Sequence, residues 1–225
     1  MKEMEKSVAT RMFPKHVHIS YAVYKGADAA KAGVLRHQLD IDGNRYMLQS
    51  TRQTAGWAGL GSNQLIQTSR GKIGEQGLRP EIFKEEEITR GGKRNLMAAF
   101  HWATQRLQFS RGGETELPAD AQDILSFMYQ FSQIPMNREI IPLSISDSTH
   151  LEQYQIEIGL EEELDTPLGK LRALHLRKMH SYSEAYFEIW LGLEYRLLPA
   201  KFRRLDGSGV VADEFVISDI RAADE

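Results

Sequence analysis

The sequence predicts a mainly β fold: a strongly curved antiparallel sheet or open barrel of about ten strands, with one central amphipathic helix. Three observations predict it. Apolar residues recur at every second position through most of the chain, turn signals rich in Gly, Pro and Asp separate these runs, and one segment alone, residues 117–131, takes a helical period. A lone helix among many strands closes a curved sheet over a hollow, and a hollow is where a ligand can sit.

The elements follow in order. Val17, Ile19, Tyr21 and Val23 alternate up to Gly26, as in a strand with one buried face. A second run, Gly33, Leu35, His37, Leu39 and Ile41, meets Asp42-Gly43 and resumes at Tyr46 and Leu48, which predicts a hairpin with a type I′ turn. Three glycines around Trp57 mark a bend or loop. A short strand spans residues 65–69, and Pro80 opens an extended segment over residues 81–88 whose Glu85-Glu86-Glu87 reads as a charged face or edge. Phe100 and Trp102, then Leu107 and Phe109 after a turn at Thr104-Gln105, predict a hairpin with an aromatic inner face.

In the helix, Asp120 caps the first turn with Asp123 three residues on, while Ile124, Phe127, Met128 and Phe131 repeat at i, i+3, i+4, i+7. Pro135 ends it. Residues 137–150 are the least patterned and predict a long surface connection. Beyond them Tyr154, Ile156 and Ile158 alternate, Thr166-Pro167-Leu168-Gly169 turns, and further strands cover residues 171–179, 186–193, 197–204 and 210–217.

With 225 residues and 41% hydrophobic content, the chain predicts one β-rich domain over residues 15–220, preceded by a flexible segment, residues 1–14. Its 28 basic and 31 acidic residues are interspersed, so there is no basic excess to neutralise nucleic-acid phosphates. Cysteine is absent, which removes disulfides, thiolate nucleophiles and Cys-ligated zinc. No apolar run approaches about 18 residues, so no membrane-spanning helix is expected. Residues 1–12 show no apolar signal region, so an exported chain is expected to have had its signal trimmed.

The chain resembles domain-of-unknown-function family 3108, found mainly in Gram-negative envelopes. The resemblance rests on Tyr46-Met47-Leu48-Gln49-Ser50, Gly77-Leu78-Arg79-Pro80-Glu81-Ile82-Phe83, Phe100-His101-Trp102, the segment from Leu117 to Gln130, Asp165-Thr166-Pro167-Leu168-Gly169, Glu188-Ile189-Trp190-Leu191 and Leu198-Pro199. It implies an exported, periplasmic protein with a lipoprotein-carrier-like or lipocalin-like curved sheet, and no settled activity.

Candidate chemistry is sparse. Asp123 and Ser126, with any of seven histidines, could be arranged as a hydrolase, but the strained Gly-x-Ser-x-Gly presentation is absent and helix capping accounts for both residues. His16 and His18 share a strand face, yet two ligands do not close a metal site. Acidic residues 161–165 lack the spacing of a calcium loop. No catalytic residue, metal or cofactor is predicted. Arg79, stiffened by Pro80, either clamps an anionic group or pairs internally with Asp123 or Glu81. Trp57, Trp102 and Trp190 can line an apolar pocket, Trp57 at its mouth.

The expectation is therefore a non-enzymatic periplasmic protein holding a lipid or other amphipathic small molecule, with Trp57, Arg79, Trp102, Asp123 and Phe127 as ligand-binding residues. The alternatives are an envelope module that binds a partner protein, and a hydrolase using Asp123, Ser126 or a histidine.

Overall fold

The computed structural model describes residues 13–26, 30–55, 62–74, 76–133 and 138–224. Fifteen strands form one sheet in these residues, rather than about ten. The first described strand lies in the middle of that sheet. β1 (His16–Lys25), β2 (Ala30–Asp42), β3 (Arg45–Ala55), β4 (Ser62–Gly74), β5 (Gly77–Thr89), β6 (Gly92–His101), β7 (Arg106–Phe109) and β8 (Glu114–Glu116) step outward as an antiparallel meander to one edge. The chain then crosses to the opposite edge at β9 (Gln122–Asp123). It returns through β10 (Ile140–Ser146), β11 (Leu151–Thr166), β12 (Gly169–Lys178), β13 (Tyr186–Gly192) and β14 (Leu198–Leu205) to β15 (Val211–Ala223), which pairs with β1. All pairs are antiparallel except β9 with β10. The two sheet edges, β8 and β9, are neighbours in sequence but are not hydrogen-bonded, so the sheet curls without closing.

Alternation decides which face is inside. Val17, Ile19, Tyr21 and Val23 of β1 are all within 1% of complete burial, while His16, His18 and Lys25 are exposed. Cross-strand register carries that face sideways: Ile19 lies opposite His37, His37 opposite Ser50 and Ser50 opposite Gln67, while Tyr21 lies opposite Leu35, Leu35 opposite Arg52 and Arg52 opposite Leu65. Register shifts in the β1–β15, β1–β2, β4–β5, β11–β12, β13–β14 and β14–β15 pairs supply local bends that let a long sheet curl. At the β4–β5 shift only glycine fits on β4, since a Cβ on Gly71 would lie 2.1 Å from the Arg79 carbonyl oxygen.

Several expectations are corrected. The 42–45 hairpin forms, but Asp42 pairs with Arg45, so its loop is Gly43-Asn44, with Gly43 alone at positive φ; this fits a type II′ turn. Residues 140–146 make a strand with Ile141, Leu143 and Ile145 buried, not a surface connection; Pro142 and two serines had diluted the alternation. The acidic residues 161–165 lie within β11, where Glu161 and Glu163 pair with Arg172 and Lys170 of β12. Short strands such as β8 and β9, at two or three residues, carry too little pattern to be counted.

The helix is the largest correction. α1 spans only Ser126–Gln130, and all five of its residues are buried. The residues before it instead turn and form β9, held by long-range bonds that outweigh an isolated short helix. Asp120 caps nothing; its carboxylate accepts a bond from the Ser144 hydroxyl. Asp123 does serve as a local cap, since its Oδ1 accepts the N–H groups of Leu125 (2.9 Å) and Ser126 (2.8 Å). Pro135 lies outside the described residues. Ile124, Phe127 and Met128 did face one apolar surface, but α1 is enclosed all round, packing against β5 and β14.

What holds this internal segment is backbone accounting. β6 pairs with β5 only from Ile82 onward, so residues 77–81 have no strand on that side. A buried N–H or C=O left there would cost about 1–3 kcal/mol. Gln130 and Gln122 take the missing strand's place: Gln130 Oε1 accepts the Leu78 N–H (2.8 Å), and Gln122 Nε2 donates to the Leu78 carbonyl (2.8 Å). Gln130 Nε2 also donates to the Gln76 carbonyl, and Trp102 Nε1 donates to the Pro80 carbonyl (2.6 Å). Gln130→Ala should accordingly lower unfolding stability by about 1–3 kcal/mol in urea titration. Gln133→Ala, outside this clasp, should cost less.

Candidate ligand cavity

Between the internal segment and the sheet lies a cavity of about 350 Å³. Ile124, Leu125, Phe127 and Met128 form one side of it. Leu35 and His37 of β2, Ser50 and Arg52 of β3, and Leu65 and Gln67 of β4 form another, and residues of β10 to β15 complete the wall. The wall is mainly apolar, as expected of a small-molecule site. Aromatic rings order it: Phe202 stacks on Phe215 at 4.5 Å between centroids, and Phe187 meets Phe127 edge-on at 5.4 Å and Tyr154 at 5.8 Å.

His37 is the polar group set deepest in this wall. It is 2% exposed, its Nδ1 lies 3.0 Å from the Tyr129 hydroxyl, and its ring packs between Tyr21 and Phe202. Burial without a counter-charge lowers its pKa to about 3, so the ring is neutral at physiological pH. Tyr21 anchors the cluster by donating to the Pro199 carbonyl at 2.8 Å. Burial also raises the pKa of both tyrosines, so they remain neutral hydrogen-bonding groups.

The sequence-predicted residues do not converge on one site. Trp57 lies outside the described residues. Phe127 lines the cavity. Arg79 and Trp102 do not: Arg79 is exposed on β5, its guanidinium carbon 4.4 Å from the centre of the Trp102 ring, a cation–π contact away from the hollow. Neither anticipated salt bridge of Arg79 forms, since Glu81 pairs with Arg45 and Lys72. Trp190 does not line the cavity either: it is buried on the other sheet face, where His175 stacks on it at 4.4 Å and Lys201 and Arg203 cover it.

Asp123 is fully buried behind the cavity wall. Ser69 donates to its Oδ2 at 2.5 Å, and the Tyr46 hydroxyl lies 2.8 Å from Ser69 Oγ, which ties the internal segment to β3 and β4. Burial raises the Asp123 pKa against the pull of these donors. Ser126 Oγ accepts the Asp123 N–H at 3.1 Å, and no histidine is bonded to it among the described residues. Asp123 and Ser126 thus cap this segment and pin it to the sheet. His16 pairs with Asp40 at 2.9 Å on the outer surface, and among the described residues no group of three metal-ligating side chains gathers.

Sequence reasoning missed most of the wall: Leu35, His37, Arg52, Leu65, Phe202 and Phe215. The available signal was parity within each strand, but without the pairing register nothing aligns β2, β3 and β4 with β14 and β15.

A family model described as protein of unknown function, DUF3108, matches residues 19–213. Among solved structures, the chain is similar to a β-barrel-like protein of domain of unknown function DUF1849 from Brucella abortus, with TM-score 0.60 and 7% identity over 94% of this chain and 99% of that one. It is also similar to a protein with a YmcC-like fold from Bacteroides fragilis, at TM-score 0.38 and 10% identity over 93% and 98% of the two chains. No curated protein matches. The Brucella likeness extends the curled β architecture to a second group of proteins and bears on fold alone. No described helix is long and apolar enough to cross a membrane.

The burial of His37 fixes a pH response. Between about pH 6.5 and 3 the unfolded chain binds a proton at this residue that the folded chain does not, so stability falls as pH is lowered through that window, by on the order of a few kcal/mol. Asp123 works in the opposite sense: its raised pKa makes the folded chain hold a proton longer, so its term falls as pH rises above the ordinary carboxylate range. The readout is therefore a difference. His37→Gln should flatten the acid-side loss of stability relative to wild type when urea unfolding is followed at pH 7, 5.5 and 4.5.

Proposed function

The chain belongs to the DUF3108 family of proteins of unknown function, and from that premise we propose that it is a non-enzymatic carrier that holds an amphipathic small molecule in the hollow of its sheet. The observation that carries this reading is the apolar cavity of about 350 Å³ between α1 and the inner sheet face. A volume of 300–1,000 Å³ with an apolar wall and few polar groups is what small-molecule sites have in common. The resemblance to that family supports the periplasm of a Gram-negative cell as the place of action.

Phe127 belongs to the binding site on this reading, whereas Arg79, Trp102 and Asp123 support the scaffold. The rival reading, an envelope module that binds another protein, would leave the interior without an occupant.

Two measurements test the proposal. Protein expressed in a Gram-negative host should carry a co-purifying amphiphile in native mass spectrometry, and the delipidated protein should bind N-phenyl-1-naphthylamine with one-to-one stoichiometry. Leu65→Trp, which pushes an indole into the cavity, should weaken that probe by about tenfold or more, with a circular dichroism spectrum like wild type. A folded wild type that takes up neither molecule would favour the interaction module.

A further inference from the structure

Four cationic residues border the cavity: Arg52, Lys178, Arg204 and Arg203, whose side chain lies over Trp190 on the outer face. Three are neutralised within the protein. Lys178 pairs with Glu184 at 2.5 Å, Arg203 with Glu188 at 2.5 Å and Arg204 with Asp213 at 2.6 Å. Arg52 has no ion pair among the described residues, although it is only partly exposed. Its cross-strand neighbours on the inner face are both apolar, Leu35 on β2 and Leu65 on β4. The acids farther along that face are already engaged: Glu87, opposite Leu65, pairs with Arg94 at 2.7 Å, and Glu85, opposite Gln67, accepts a bond from its amide at 3.0 Å.

A guanidinium set between two leucines loses hydration without gaining a counter-charge, which disfavours the empty protein. Its planar fork suits a carboxylate, which it can bind through two parallel N–H···O bonds. The remaining polar wall groups nearby, Ser50 and Gln67, are neutral, and His37 is sequestered by Tyr129. The site thus has one uncompensated positive charge at the border of an apolar chamber whose volume lies at the small end of ligand pockets.

We propose that the ligand is a single-chain amphiphile with a monoanionic carboxylate head, held by Arg52, its tail lying against Leu125, Phe127, Met128 and Phe202. One unpaired guanidinium balances one charge, so a carboxylate fits better than a phosphate dianion. The volume accommodates one acyl chain rather than two. This inference rests on the cavity being a ligand site, as proposed above.

The test compares head groups on one tail. Equilibrium dialysis of delipidated wild type should show dodecanoate binding about tenfold or more tightly than 1-dodecanol, the ratio expected for one charge-assisted pair. Arg52→Gln should bind the two equally, and Arg52→Lys should restore part of the preference. Because the guanidinium is unpaired when the cavity is empty, the melting temperature of ligand-free Arg52→Gln should equal or exceed that of wild type. Equal binding of acid and alcohol by wild type would overturn the head-group assignment and leave the cavity reading standing. Tighter binding of dodecyl phosphate than of dodecanoate would overturn the carboxylate. Binding of none of the three would remove both readings.

Discussion

The unpaired stretch of β5, residues 77–81, is the constraint on which the rest of the structure depends. A curled sheet that does not close must leave backbone groups without strand partners, and buried ones must be bonded. Here the solution is borrowed from side chains. Gln122 and Gln130 bracket Leu78, binding its C=O and N–H, and Trp102 binds the carbonyl of Pro80. Because Gln122 lies just before α1 and Gln130 is its last residue, satisfying β5 also fixes where the internal segment sits. The cavity is the space left between that fixed segment and the inner face of the sheet.

Asp123 reinforces the same placement from the other direction. It caps Leu125 and Ser126 locally and receives the Ser69 hydroxyl from β4, with Tyr46 of β3 behind it. A buried carboxyl is tolerable only with several donors, and this one has three. It therefore works as a pin. The segment cannot rotate to close the cavity without stripping those bonds, which explains how the apolar hollow persists.

Much of the fold was legible in the residues, and the reasons differ by element. β1 was clear because Val17, Ile19, Tyr21 and Val23 alternate without interruption and nothing competes with them. β10 was hidden because serines at 144 and 146 occupy buried positions, their hydroxyls satisfied by Asp120 and by the carbonyls of Asp147 and His150. The segment around α1 misled because residues buried on every side still show a 3.6 period by chance of which are largest. The site was legible only at Phe127. Arg79 and Trp102, conspicuous as neighbours of proline and of an aromatic strand, meet each other outside the cavity, and Arg52 had nothing in its local sequence to mark it.

Composition and local periodicity by themselves determined that this protein is β-rich and antiparallel, that it needs no disulfide, and that one segment near residue 125 departs from the sheet. Those properties depend on neighbours within a few residues, where side-chain alternation and turn chemistry act directly. The tertiary structure alone decided the fifteen-strand order, the return of β15 to β1, the shortening of the helix and the identity of the cavity wall. Each of these is set by long-range register. A rung such as Tyr21, Leu35, Arg52 and Leu65 joins four strands whose alignment comes from bulges and buried bonds distant in the chain, and no local pattern encodes it.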